Sequence, residues 1–190
     1  RVPMRDDITL SADIYLPLGS LMTKRPVILE RTPYMKAGIN FEKAKYFVRH
    51  GYVFVVMDVR GRGDSDGEFI PYFHEGKDGY DAIEWCALQP WSDGNVGTIG
   101  ASYGGRIQWL AAIERPPHLQ TMIVLVPPSD PFVETPTSTP GSTHICWLHL
   151  VSGRALQSMD VMDWQNVYKH LPLISMNEEI GRRIPAWRLE

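Results

Sequence analysis

A chain of 190 residues with 44% hydrophobic and 22% charged content is long enough to bury one good core and has the balance of an ordinary globular protein. A formal net charge of −3, with no basic stripe, excludes a dedicated nucleic-acid binder. No apolar run approaches a membrane span, and Cys86 and Cys146 stand too far apart for a metal site or a disulfide framework. Both cysteines sit in apolar surroundings and read as buried free thiols, so a cytoplasmic setting is the expectation. The chain opens on Arg1 rather than Met and starts inside a strand pattern, which leaves a removed leader open.

In chain order, Asp6-Asp7 mark a turn, and apolar residues alternate with polar ones over 8–16, as in a half-buried strand. Residues 17–24 form a loop, and a short buried strand over 26–31 runs into Thr32-Pro33-Tyr34. Phe41, Ala44, Phe47 and Val48 then fall on one face of a helix that ends at Gly51. Residues 52–57, rich in β-branched side chains and unbroken, form the strongest strand, of the kind found inside a parallel sheet. A loop rich in Gly and Asp covers 58–67. Tyr80, Ile83, Glu84 and Ala87 recur at helical intervals over 75–88, and Pro90-Trp91 stops that helix. A strand over 95–99, a turn over 100–105, a helix over 106–113 and a buried strand over 121–126 follow. Strands alternating with helices at this spacing predict βαβ units and a parallel sheet covered on both faces.

After Ser129 the texture changes. Residues 131–143 are rich in Pro, Thr and Ser without a period, and from His144 onward Trp147, Leu148, Val151, Leu156, Met159, Met162, Trp164, Val167 and Leu171 recur at helical spacings. The expected division is a core over 1–130, then a linker and partial helical cap over 131–190. Ordinary flanking helices of one domain are the alternative.

The motif that organises the chain is Gly100-Ala101-Ser102-Tyr103-Gly104, a G-x-S-x-G between a strand and a helix. A strand that turns sharply into a helix pushes its central residue out in a strained conformation, so positions two residues to either side must lack side chains. Ser102 then sits at the carboxyl edge of the sheet, beside the positive end of the next helix. The competing reading is a glycine-rich loop whose serine caps a helix. A serine nucleophile needs a base, a group orienting that base, and oxyanion donors. By position, the Tyr103 N–H is one donor, and the loop after the preceding parallel strand, Arg31-Thr32-Pro33-Tyr34, is placed to hold the other.

Arg31-Thr32-Pro33-Tyr34, then Asp58-Val59-Arg60-Gly61 with Ser65 and Gly67, then the run from Trp91 to Gly105 together resemble the X-prolyl dipeptidyl-peptidase and cocaine-esterase family (CocE/NonD, peptidase S15) of α/β-hydrolases. The resemblance is good over about residues 2–128 and loose beyond. It implies an α/β-hydrolase fold, Ser102 as nucleophile and the Tyr34 hydroxyl as an oxyanion donor. A phenol is a stronger donor than a peptide N–H, so that role is chemically sound; the alternative is a core tyrosine bonded to a carbonyl. The family's acid and histidine follow its cap, beyond position 190 here. The expectation is therefore a portion of a longer enzyme, inactive alone for want of a base. Asp130, Asp160 and Asp163, with His118, His144, His149 and His170, are the downstream residues of the right type, and each histidine reads as structural.

Two motifs invite other readings. The glycines around Arg60 to Asp64 suggest a dinucleotide loop, yet the third glycine is missing at position 66 and no helix opens there. Arg62-Gly63-Asp64-Ser65 spells an adhesion tetrapeptide inside the same loop and is assigned no function. Asp58 with Arg60 reads as a structural ion pair, and Asp64, Asp66 and Glu68 as a solvated face rather than a cation site. The resulting expectation is a serine hydrolase cleaving an ester or amide, acting on a small ester or short peptide, with no cofactor, metal, nucleic-acid or membrane partner and a homo-oligomer left open. A nucleotide-binding α/β module is the alternative from another class.

Overall fold

Residues 53–58 are buried at every position, which a strand achieves only when both faces of its sheet are covered. The computed structural model describes residues 1–19, 22–38, 41–128 and 143–169, the side chains of 143–145 excepted. Its elements are β1 (Val2–Pro3), β2 (Thr9–Leu10), β3 (Ala12–Tyr15), β4 (Arg25–Thr32), α1 (Phe41–Arg49), β5 (Val53–Asp58), α2 (Glu75–Ala87), β6 (Ser92–Ala101), α3 (Tyr103–Ile113), β7 (Leu119–Leu125), α4 (Thr143–Leu150) and α5 (Trp164–Lys169). The five-stranded sheet runs in the order β3-β5-β4-β6-β7, and only β3 is antiparallel to its neighbour.

Alternation along the strands sorts the core onto two faces. Val27, Leu29, Val53, Val55 and Met57 pack with Ala82, Ile83 and Cys86 of α2 and Ala111 of α3, while Ile28, Phe54 and Val56 pack with Ala44 of α1. The chain therefore lays α1 on one face and α2 with α3 on the other. Strand order reverses between β4 and β6, because the chain steps outward to β5 and returns across β4. In an open α/β sheet such a reversal leaves a crevice at the carboxyl ends of the two flanking strands.

The structure corrects two readings of the elements. The strand expected over 8–16 divides at Ser11: Thr9–Leu10 pairs with β1, and Ala12–Tyr15 with β5. Ser11 turns its main chain to other partners, its N–H donating to Ser65 Oγ at 2.8 Å and its carbonyl accepting from Asp58 N at 3.1 Å. On α2 the inward face is Glu75, Asp78, Gly79, Ala82, Ile83, Cys86 and Ala87, so Tyr80 and Glu84 lie to one side of it, and two carboxylates face the core.

By internal contacts the chain divides into Arg1–Pro128 and Ser129–Glu190. Among the described residues of the second unit, Trp147 and Leu148 lie on α4 and Trp164 and Val167 on α5, whereas Val151, Leu156, Met159 and Met162 lie outside both; Leu171 is outside the described residues. Val167 is buried among Leu148, Met162, Trp164 and Tyr168, and Gly153 (φ 80°) lies in the non-helical stretch between the two helices. No helix among the described residues is long and apolar enough to cross a membrane.

Candidate active site

The glycines around Ser102 are there because of space. A Cβ on Gly100 would stand 2.5 Å from the carbonyl oxygen of Gly104, and one on Gly105 would stand 2.9 Å from that of Leu125. With those side chains absent, β6 turns into α3 at a single residue. Ser102 adopts φ 53° and ψ −121°, a region costly for any residue with a Cβ. Its main chain is held on both sides: its N–H donates to the Leu125 carbonyl at 3.0 Å, and its carbonyl accepts from Gly105 and Arg106 at 2.9 and 3.0 Å. Gln108, buried under the turn, donates to the carbonyls of Gly100 and Gly104 at 3.3 and 3.0 Å and accepts from Thr98. The Ser102 side chain is left exposed at the carboxyl edge of the sheet.

Ser102 and Tyr34 line one cleft with about 610 Å³ of empty space open to solvent, together with Glu30, Thr32, Lys43 and Leu125. The cleft opens at the strand-order reversal, since Tyr34 follows β4 and Ser102 follows β6. Tyr103 is the first residue of α3, where main-chain N–H groups point out of the helix end. Its side chain goes the other way and is buried. The phenol donates to Glu75 Oε1 at 2.8 Å, accepts from the Tyr72 N–H at 3.0 Å and stacks on the Tyr72 ring at 4.4 Å. Glu75 also accepts from the buried Arg31 guanidinium through its other oxygen, and Arg31 donates to the Glu75 carbonyl at 2.9 Å. Burial pushes the Glu75 carboxyl up against the pull of Arg31, and burial with the neighbouring Glu75 raises the Tyr103 phenol well above its usual value.

The loop that carries Tyr34 is held by charged groups of the 58–65 segment. Arg62 Nε donates to the Pro33 carbonyl at 2.8 Å, and Asp58 Oδ1 accepts from the Lys36 N–H at 2.6 Å. The expected Asp58–Arg60 ion pair is absent. Arg60 bonds Asp78 at 2.6 Å and Asp6 at 2.7 Å instead, since Asp78 on the inward face of α2 offers a buried carboxylate within its reach. Asp66 is also more than a solvated charge, since it accepts from Thr9 Oγ1. No group of three His, Cys, Asp or Glu among the described residues could hold a metal ion.

Among the described residues the cleft wall carries no histidine. His118 pairs with Glu84 at 2.7 Å and precedes β7, at the opposite end of the sheet from Ser102, roughly 20 Å away at about 3.3 Å per residue. His149 is buried, with Nε2 at 3.1 Å from the Ser158 carbonyl. Asp130, His170 and the His144 side chain lie outside the described residues. Sequence reasoning missed the roles of Arg31, Arg62 and Glu75. The available signal was a charge inside a buried stretch: Arg31 ends an apolar strand, and Glu75 stands four residues before Gly79 and eight before Ile83, on the inward face of α2.

A model of the X-Pro dipeptidyl-peptidase (S15) family matches residues 6–168. The chain belongs to this family. The S15 chain is 41% identical to the cocaine esterase of Rhodococcus sp. over 117 residues, which are 59% of this chain and 20% of that protein. It is 30% identical over 182 residues to a provisionally named serine esterase of Mycobacterium bovis, covering 84% of this chain and 28% of the relative. Among solved structures, a CocE/NonD family hydrolase from Staphylococcus aureus superposes with a TM-score of 0.70 at 26% identity, over 97% of this chain and 37% of that one. The chain thus spans between a fifth and two fifths of each of these relatives, and its fold is that of the α/β-hydrolases.

Proposed function

We propose that this chain carries the nucleophile and the oxyanion site of a serine hydrolase that cleaves carboxylic esters. The observation that carries the reading is the strained, exposed Ser102 at a strand-to-helix turn, in one cleft with Tyr34. In this mechanism Ser102 Oγ attacks the ester carbonyl carbon and passes its proton to a base. The carbonyl oxygen becomes an oxyanion that accepts from the Tyr34 hydroxyl and the Tyr103 N–H. Collapse expels the alcohol, which takes up the proton held by the base, and leaves an acyl-serine. Water then adds to the acyl-serine with the same base assisting, and release of the acid restores Ser102. The base and its orienting acid come from outside the described cleft wall.

Two of the proteins this chain resembles are named as esterases, which favours an ester over an X-prolyl peptide. The test is burst kinetics with an activated aryl ester against a Pro-containing dipeptide amide, together with fluorophosphonate labelling mapped by peptide mass spectrometry. An ester burst and a label on Ser102 are expected. Preferred turnover of the amide would favour the peptidase, and a label elsewhere would end the Ser102 reading.

A further inference from the structure

The glycine-rich loop over 58–65 contributes no residue to the described cleft wall, so the chemistry above leaves it unexplained. We propose that this loop is a splint for Tyr34, with Arg62 and Asp58 acting as positioning residues that set where the phenol hydroxyl meets the oxyanion. This inference rests on the oxyanion role given to Tyr34.

The following observations carry it. The two bonds from the loop fall on either side of Tyr34, one on the Pro33 carbonyl and the other on the Lys36 N–H. The segment they span includes Met35 at φ 73°, a conformation that a non-glycine residue keeps only when its surroundings impose it. Arg62 is fully buried, and a guanidinium in the interior is a costly way to fill space that an apolar side chain could occupy. Its orientation is fixed by the Phe69 ring 5.6 Å from its Cζ and by the attraction of the Asp58 charge. The glycines make this packing feasible. A Cβ on Gly63 would stand 2.2 Å from Asp58 Oδ2, and one on Gly61 would stand 2.2 Å from the Phe69 nitrogen. Ser65 ties the loop to the sheet, donating to the Asp58 carbonyl at 2.7 Å. The spacing of glycines that resembles a phosphate cradle is, on this account, set by close approach of Gly63 to an internal carboxylate and of Gly61 to the main chain at Phe69.

The test is a double-mutant cycle in the intact protein with an activated ester, reading kcat and KM for Arg62→Met, Tyr34→Phe and the pair. A splint predicts that R62M lowers kcat by roughly 10- to 100-fold with KM nearly unchanged, since small misplacement of a catalytic group has effects of that order. The same change in the Y34F background should cost less than twofold, because the group being positioned is gone. Equal losses in both backgrounds, or a folded R62M enzyme with wild-type kcat, would overturn the splint. Wild-type kcat in Y34F would instead overturn the oxyanion role beneath it, and the splint with it. If R62M does not fold, Asp58→Ala takes its place in the same cycle with the same outcomes.

Discussion

The turn at Ser102 and the loop at Tyr34 face one cleft, yet they are held in shape by opposite means. Sterics over a few residues shape the turn: Gly100 lies so close to the main chain of Gly104 that it has no room for a side chain, and helix α3 continues directly from the serine. The Tyr34 loop has one local tie, the Tyr34 N–H donating to Thr32 Oγ1 at 3.0 Å, and otherwise rests on distant groups. It keeps its course, including the positive φ at Met35, through Arg62 and Asp58, which lie 29 and 22 residues along the chain from the groups they bond. Under the proposed roles, the nucleophile is set by geometry within its own strand-to-helix turn, and the oxyanion donor by bonds that fix its loop to the core.

Substitutions test this contrast, the largest effect first. Ser102→Ala should lower kcat by on the order of a million-fold, the size seen when a serine nucleophile is removed, while leaving the melting temperature unchanged or higher. A residual rate within a hundredfold of wild type would break the reading of the turn. Glu75→Ala leaves Arg31 buried without its carboxylate and Tyr103 without its acceptor. Loss of one partner from a buried pair costs about 3–5 kcal/mol, which chemical denaturation would read as a lower midpoint. Tyr34→Phe should reduce kcat by about 10²–10³-fold with the fold intact, the usual loss for one oxyanion donor. Gly100→Ala should destabilise by roughly 1–3 kcal/mol through overpacking against Gly104, and activity should fall with it. An unchanged melting temperature would show that the turn can yield.

The smallest effect expected is one of pH. Burial raises the Asp58 carboxyl above its ordinary value, so the folded chain keeps this proton at pH values where the unfolded chain has lost it. Its contribution to stability therefore falls as pH rises from the ordinary carboxylate range through the raised value. Denaturant midpoints measured across that range should show a slope that Asp58→Asn reduces, the raised Glu75 carboxyl contributing in the same direction.

Much of the fold was legible because its signals are local. The unbroken run at 53–57 read as an inner parallel strand, and the glycine spacing around Ser102 read as a sharp turn, since each depends on neighbours within a few positions. The failures share one cause. The strand over 8–16 was read whole because its alternation is regular, and nothing local reveals that Ser11 turns to partners at Ser65 and Asp58. Arg60 was paired with Asp58 because the two lie close in sequence, whereas its carboxylates are Asp6 and Asp78, 54 and 18 residues away.

The sequence by itself determined that a serine would be forced out between a strand and a helix, and that a Pro-Tyr segment would follow an earlier parallel strand. Steric exclusion and hydrophobic period act over a few residues and need no knowledge of distant chain. Only the tertiary structure decided that the two would share a cleft, because this depends on the return of the chain across β4. It also decided which charges would support them, because a buried ion finds its partner by position in space.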